Sequence, residues 1–230
     1  MRQAELAARR LARPHAVPAL PIPAGPPLEI RHSPLLRTTT TAEAVGTAMA
    51  APDAMAVAVP VVPDTGFIEI GQGEWEGRLT AEIEARWADD LVGWRRDPMT
   101  TWAPGGESLT SVDGRVRESL AGVLAELRGR SAGTDVPGSQ VLGYGGAPSD
   151  EPWTLIVAHD GVFKVTLLAL LDLPLERFWT FPFALAGISI VEIRAGRPRL
   201  RAHNLTDHLQ ALETERRQVL DDERSRSGAL

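Results

Sequence analysis

The stretch TLIVAHDGVFKVTLLALL, Thr154 to Leu171, decides how this sequence is read. Thr154 to Ala158 are strand formers, His159-Asp160-Gly161 is a turn, and an apolar helix follows. In open α/β sheets ligands bind beyond the carboxyl ends of the strands, so His159 stands where chemistry is expected. A histidine at a strand end commonly just satisfies local hydrogen bonds. Aimed into a crevice, its imidazole donates to an anion or moves a proton near neutral pH. The position favours the second reading.

Working outward, Leu28 to His32 reads as another short strand, and Ser33-Pro34 as a helix start. Serine caps free backbone amides and proline is tolerated at the first helical position, so the spacing predicts a helix to about Ala48. Arg37 then lies in the first turn, where a guanidinium fork beside free amides and the positive end of the helix dipole suits phosphate. The plain alternative is a capped helix with a surface arginine. Ala54 to Val62 is expected as a buried strand. Leu79, Ile83, Trp87, Leu91 and Trp94 recur at helical spacing up to Pro98, predicting one amphipathic helix, and Val112, Val116, Leu120, Leu124 and Leu127 predict another.

Upstream, Gln3 to Leu11 suits a short surface helix, and six prolines between Pro14 and Pro27 make a connecting loop. Ser131 to Pro152, rich in Gly, Ser and Pro, reads as a flexible excursion. Ile188 to Ile193 and Leu200 to Asn204 complete the strands. Alternating strands and helices predict an α/β protein, a three-layer α/β/α sandwich around a mostly parallel central sheet.

A chain of 230 residues suits one domain, assigned to 1–208, with a polar tail at 209–230. Its 43% apolar and 23% charged residues are globular in proportion, and a net charge of −6 argues against a nucleic-acid partner. The absence of cysteine excludes a disulfide framework, a thiolate metal site and thiol catalysis, and fits a reducing cytoplasm. Arg2, Arg9, Arg10 and Arg13 are not followed by a continuous apolar run, so no secretory signal is expected. The apolar tracts at 54–62 and 154–173 are broken by Pro60, or by His159, Asp160 and Lys164, so no membrane span is expected. Nothing in the sequence indicates an oligomeric state.

Glu69, Glu74 and Glu76 in FIEIGQGEWEG (67–77), and Glu107 in WAPGGES (102–108), lie in loops that would reach the same crevice. Acidic loop residues are usually just solvated, and spacing alone does not choose among them. Taken in order, SPLLRTTTTAEAV (33–45), EIGQGEWEG (69–77), PGGES (104–108) and VAHDGVFKVTLLALL (157–171) resemble the histidine phosphatase superfamily, in its phosphoglycerate-mutase-like branch. The resemblance covers most of Gln3 to Asn204. It implies a phosphate held by two arginines and two histidines, one of which is transiently phosphorylated. By position, Arg37 matches the second phosphate-binding arginine, and Glu69 the acid that protonates the leaving oxygen or activates water. His159 matches the second histidine of the pocket. The resemblance implies a small phosphorylated metabolite as partner and no metal or other cofactor.

In that family the nucleophile belongs to an Arg-His-Gly motif at the end of the first strand. A helix follows whose second half resembles RQAELAARRLA (2–12). The sequence contains no such motif. His32 is followed by serine and is joined directly to the Ser-Pro-Leu-x-Arg motif, so it is read as a bystander, as is His15 in its proline-rich loop. The resemblance places the missing first strand ahead of Met1. A natural chain starting upstream is then expected to be a cytoplasmic phosphomonoesterase acting through phosphohistidine. The 230 residues alone are expected to have little activity and to form a marginal or aggregating monomer. The alternatives are a non-catalytic relative that binds a phosphorylated ligand or a protein, and a phosphoglycerate mutase, to which EIGQGEWEG is less similar.

Overall fold

The computed structural model describes residues 2–23, 25–131, 151–194, 196–212 and 214–215. Nearly all of the excursion expected at 131–152, and the tail from 216 onward, lie outside the described residues. Leu209, placed by the sequence reading in that tail, is buried in a 3-10 turn at Asp207–Leu209.

The order begins with α1 (Arg2–Ala12), β1 (Ile30–His32), α2 (Leu36–Ala50) and β2 (Val61–Pro63). It continues with α3 (Thr80–Arg86), α4 (Ala88–Arg96), α5 (Leu109–Ser131), β3 (Leu155–Val157) and α6 (Asp160–Leu170). Two longer strands, β4 (Ile188–Arg194) and β5 (Arg197–Leu205), follow. β1 lies between β2 and β3, parallel to both, with Ile30 opposite Val61 and Leu155.

Alternation along the strands builds the layers. Ile30, Leu155 and Val157 pack with Ala8, Leu11 and Ala12 of α1 and Ala42, Val45 and Met49 of α2. Ile156 and Ala158 join the opposite cluster, where Val112, Val116 and Leu120 of α5 meet Val162 and Val165 of α6 around Phe67 and Phe178. The three-layer α/β/α arrangement is therefore as the sequence predicts. β4 and β5 form a separate antiparallel pair, with a bulged register, whose Ile188, Ile190 and Leu205 share the α1–α2 core.

Arg31 points to the α5 side of β1, where an unpaired charge would be costly. Its guanidinium pairs with Glu29, with Asp64 at 3.0 Å and with Glu126 of α5 at 3.8 Å. Asp64 also accepts from Ser119 Oγ at 2.7 Å and from the Gly66 amide at 2.9 Å. Burial pushes its carboxyl upward, but those bonds and Arg31 hold it below the ordinary value.

Three local expectations are corrected. α2 starts at Leu36 with Leu35 as its N-cap and runs on to Ala50; the Ser33 hydroxyl accepts the Leu35 amide at 3.4 Å, ahead of the first helical turn, and lies 2.8 Å from His159 Nε2. The strand expected over Ala54–Val62 shrinks to β2. The chain leaving α2 turns back on itself, with the amides of Ala54 and Ala56 bonded to the Ala51 carbonyl and Ala56 at φ 55°. The single helix expected from Leu79 to Trp94 is two, broken at Trp87, whose backbone leaves the helical region (φ −133°, ψ 42°). The Trp87 ring sits against the guanidiniums of Arg78 and Arg86, 5.3 and 4.5 Å from its centroid, and Leu79 is 72% exposed.

Phe67 is fully buried where the loop after β2 meets α5 and α6. Phe67→Ala is expected to cost about 3–5 kcal/mol, read as a lower urea midpoint at unchanged denaturant slope.

Candidate active site

β1 and β3 end side by side, with His32 opposite Val157 and the Ser33 amide donating to the Val157 carbonyl at 3.0 Å. Parallel pairing thus delivers Ser33 and His159 to the same edge of the sheet. Ser33 is fully buried and His159 is 7% exposed, with His159 Nε2 and Ser33 Oγ 2.8 Å apart. From the second residue of α2, Arg37 donates its Nε–H to His159 Nδ1 at 3.0 Å. An Nδ1 that accepts assigns the ring proton to Nε2, which donates to the serine. Burial and the charge of Arg37 push the His159 pKa down to about 4, so the ring is neutral at neutral pH. Arg37 is exposed, and its terminal nitrogens have no protein hydrogen bond among the described residues. They leave two cationic donor groups facing solvent beside a neutral imidazole.

The first turn of α6 supplies the third component. A helix start leaves backbone amides without internal partners. Here the Glu69 carboxylate takes them: Oε1 accepts from Val162 N at 3.0 Å and from its own neighbour Ile70 N at 2.9 Å, and Oε2 faces Gly161 N at 3.4 Å. A negative group at the positive end of the helix is favourable. A Cβ at Gly161 would lie 2.7 Å from Glu69 Oε1 and 2.9 Å from Ile70 Cδ1, so any larger residue would push the Glu69 carboxylate from its place.

Arg37, Glu69 and His159, the residues singled out in the sequence, are thus gathered at the starts of α2 and α6. The other acids are engaged elsewhere. Glu74 is exposed and 3.7 Å from Arg86, Glu76 accepts from the Gln72 amide at 3.0 Å, and Glu107 is bonded to Arg115. His15 is exposed in the loop after α1. His32 is buried, but its Nδ1 lies 2.9 Å from the Ser33 carbonyl and 3.3 Å from Thr39 Oγ1, so the ring serves the entry to α2. Sequence reasoning missed two residues: Ser33, taken as a helix cap, and Arg115, to which no sequence signal pointed because three of its acceptors are main-chain carbonyls.

Among the described residues no helix is long and apolar enough to cross a membrane. The family model of the histidine phosphatase superfamily (branch 1) matches residues 1–134 and 145–206. The chain is 29% identical over 209 residues to phosphoserine phosphatase 1 of Hydrogenobacter thermophilus, covering 90% of this chain and 79% of that protein. It is 32% identical over 116 residues to glucosyl-3-phosphoglycerate phosphatase of Mycobacterium tuberculosis, a match spanning half of this chain and 45% of that protein. Among solved structures, a mycobacterial glucosyl-3-phosphoglycerate phosphatase in complex with inorganic phosphate superposes with a TM-score of 0.68 at 26% identity, over 90% of this chain and 86% of the other. With a family model matched along most of its length, the chain belongs to the histidine phosphatase superfamily, branch 1.

Proposed function

We propose that Arg37, His159 and Glu69 form the phosphate-holding and acid parts of a phosphomonoesterase site for a small phosphorylated metabolite. The observation carrying this reading is the 3.0 Å bond from Arg37 Nε to His159 Nδ1, which joins residues 122 apart in sequence and leaves the remaining guanidinium donors open. A phosphoryl group against those donors receives paired, charge-assisted hydrogen bonds. The His159 Nε2–H is the next donor available, exchanging Ser33 for a phosphate oxygen. Glu69, held where α6 begins, supplies the carboxyl that protonates a leaving alkoxide once it has taken up a proton. Arginine and imidazole balance charge on the transferring oxygens, so the proposed chemistry requires no metal.

In the family mechanism an imidazole attacks phosphorus, the ester oxygen leaves with a proton from the acid, and water then cleaves the phosphohistidine. The sequence has no Arg-His-Gly motif, and both His32 and His159 are engaged in local bonds. The proposed activity of these 230 residues is therefore phosphate-ester binding with little or no turnover. A chain that also carried the nucleophilic strand would be a phosphomonoesterase acting through phosphohistidine. The same missing motif favours, as the second reading, a non-catalytic relative that binds a phosphorylated ligand. The expected compartment is the cytoplasm, which the absence of cysteine supports.

Inorganic phosphate binding, followed by calorimetry, is expected to weaken by roughly 10- to 100-fold in Arg37→Met, the scale of one charge-assisted hydrogen bond, and to weaken in His159→Ala. It should weaken far less in His32→Ala, which disturbs only the entry to α2. Release of p-nitrophenol from p-nitrophenyl phosphate should stay near background; robust turnover abolished by His32→Ala would overturn this reading.

A second expectation concerns charge. Below pH 6.5 an unfolded histidine takes up a proton that His159 refuses until about pH 4, so this group's stabilisation is complete above pH 6.5 and lost as pH falls toward 4. Ring-carbon shifts should show the neutral, Nε2-protonated ring at pH 6. Arg37→Met should raise its titration toward the ordinary value, because one of the two depressing causes is gone.

A further inference from the structure

We propose that Arg115, on α5, is the positioning residue for Glu69, an inference that rests on reading Glu69 as the acid of the site. Its guanidinium has no hydrogen bond to Arg37 or His159; three of its five N–H groups serve the loop that presents Glu69, and two serve Glu107. Nη1 donates to the carbonyls of Gly66 and Ile68, each at 2.8 Å, and Nη2 donates to the carbonyl of Glu69 at 3.4 Å. Nε and Nη2 also hold the two carboxylate oxygens of Glu107, at 3.0 and 2.9 Å. Glu107 in turn accepts the Gly71 amide at 2.8 Å. The segment from Gly66 to Gly71 is thus strapped at both ends to α5, with Glu69 between the anchor points.

Three further observations make the strap specific. Burial pushes the Glu107 carboxyl up, but Arg115 and the Gly71 amide hold it below its ordinary value, so it is charged whenever the strap forms. The loop lies close against its supports, leaving no room for a side chain at Gly66 and little at Gly71. A Cβ at Gly66 would meet Ser119 Oγ and the Arg115 carbonyl, and one at Gly71 would lie 3.3 Å from Glu107. The arginine itself is held in place because Val112 and Val116, on either side of it in α5, are fully buried. A planar fork reaches these acceptors together; a lysine ammonium, a point charge with three donors, does not. Arg115 therefore sets where the Glu69 carboxylate meets the first amides of α6.

The test is amide hydrogen exchange on the full chain, comparing Ile70 and Val162, whose N–H groups Glu69 accepts, with Leu167 in the body of α6. In Arg115→Met the first two should exchange roughly tenfold or more faster relative to Leu167, as expected for local opening without global unfolding. Arg115→Lys should fall between. Val123→Ala, which removes buried apolar contacts two helical turns further along α5, should lower global stability and leave the ratio at its wild-type value. An unchanged ratio in Arg115→Met, or an equal change in Val123→Ala, would overturn the proposal. The reading of the site fails separately: inorganic phosphate binding left unchanged in both Arg37→Met and His159→Ala removes that reading and leaves the strap standing.

Discussion

The free backbone amides that open α6 are the constraint around which the site is arranged. A buried helix start must satisfy those donors. In this protein a carboxylate from a distant loop does so, with Glu69 bonded to Val162 and facing Gly161. The bond fixes the end of β3, because His159 is the residue immediately before the helix. It also obliges the loop after β2 to lie against α5, which is why Asp64, Gly66, Ser119, Arg115 and Glu107 form one continuous polar seam. Parallel pairing of β1 with β3 then brings Ser33 and Arg37 to the same place without further adjustment.

That arrangement explains how opposite charges share a small site. Arg37 and Glu69 do not neutralise one another directly; each is stationed at a different helix start and has its own hydrogen-bond partners. His159 lies between these roles and keeps its ring uncharged because burial and the arginine act in the same direction. In the proposed reading an anion would meet the open guanidinium nitrogens of Arg37 first, and would then draw the His159 N–H from Ser33.

Much of this was legible in the sequence because it is local. The strand–turn–helix reading of Thr154 to Leu171, the helical spacing from Val112 to Leu127 and the placing of Arg37 in a first turn all rest on short-range periodicity and capping chemistry. The errors arose where tertiary contacts overrode local pattern. Leu79 to Trp94 carries a helical apolar stripe, yet the backbone leaves the helix at Trp87, whose ring packs with Trp75, Leu91 and Ala103 while meeting the guanidiniums of Arg78 and Arg86. Ala54 to Val62 is apolar enough for a strand, but the turn closing on Ala51 consumes its first half. Ser33 has the composition of a cap, and only knowledge of where β3 ends would have assigned its hydroxyl to His159. Arg115 was invisible for the same reason: its carbonyl acceptors carry no residue-type signature.

The separation of 122 residues between Arg37 and His159 has a consequence for how the protein is made. At typical ribosomal speeds, α2 leaves the ribosome on the order of ten seconds before His159 does. During that interval, of the two described strands that flank β1, β2 alone has been made, and the buried face of α2 has only part of its final cover. Non-local parallel pairing is slow to form and leaves unpaired edges while it waits. The nascent chain is therefore most vulnerable to misassembly before β3 emerges, and chaperone capture would be most useful over that stretch of synthesis.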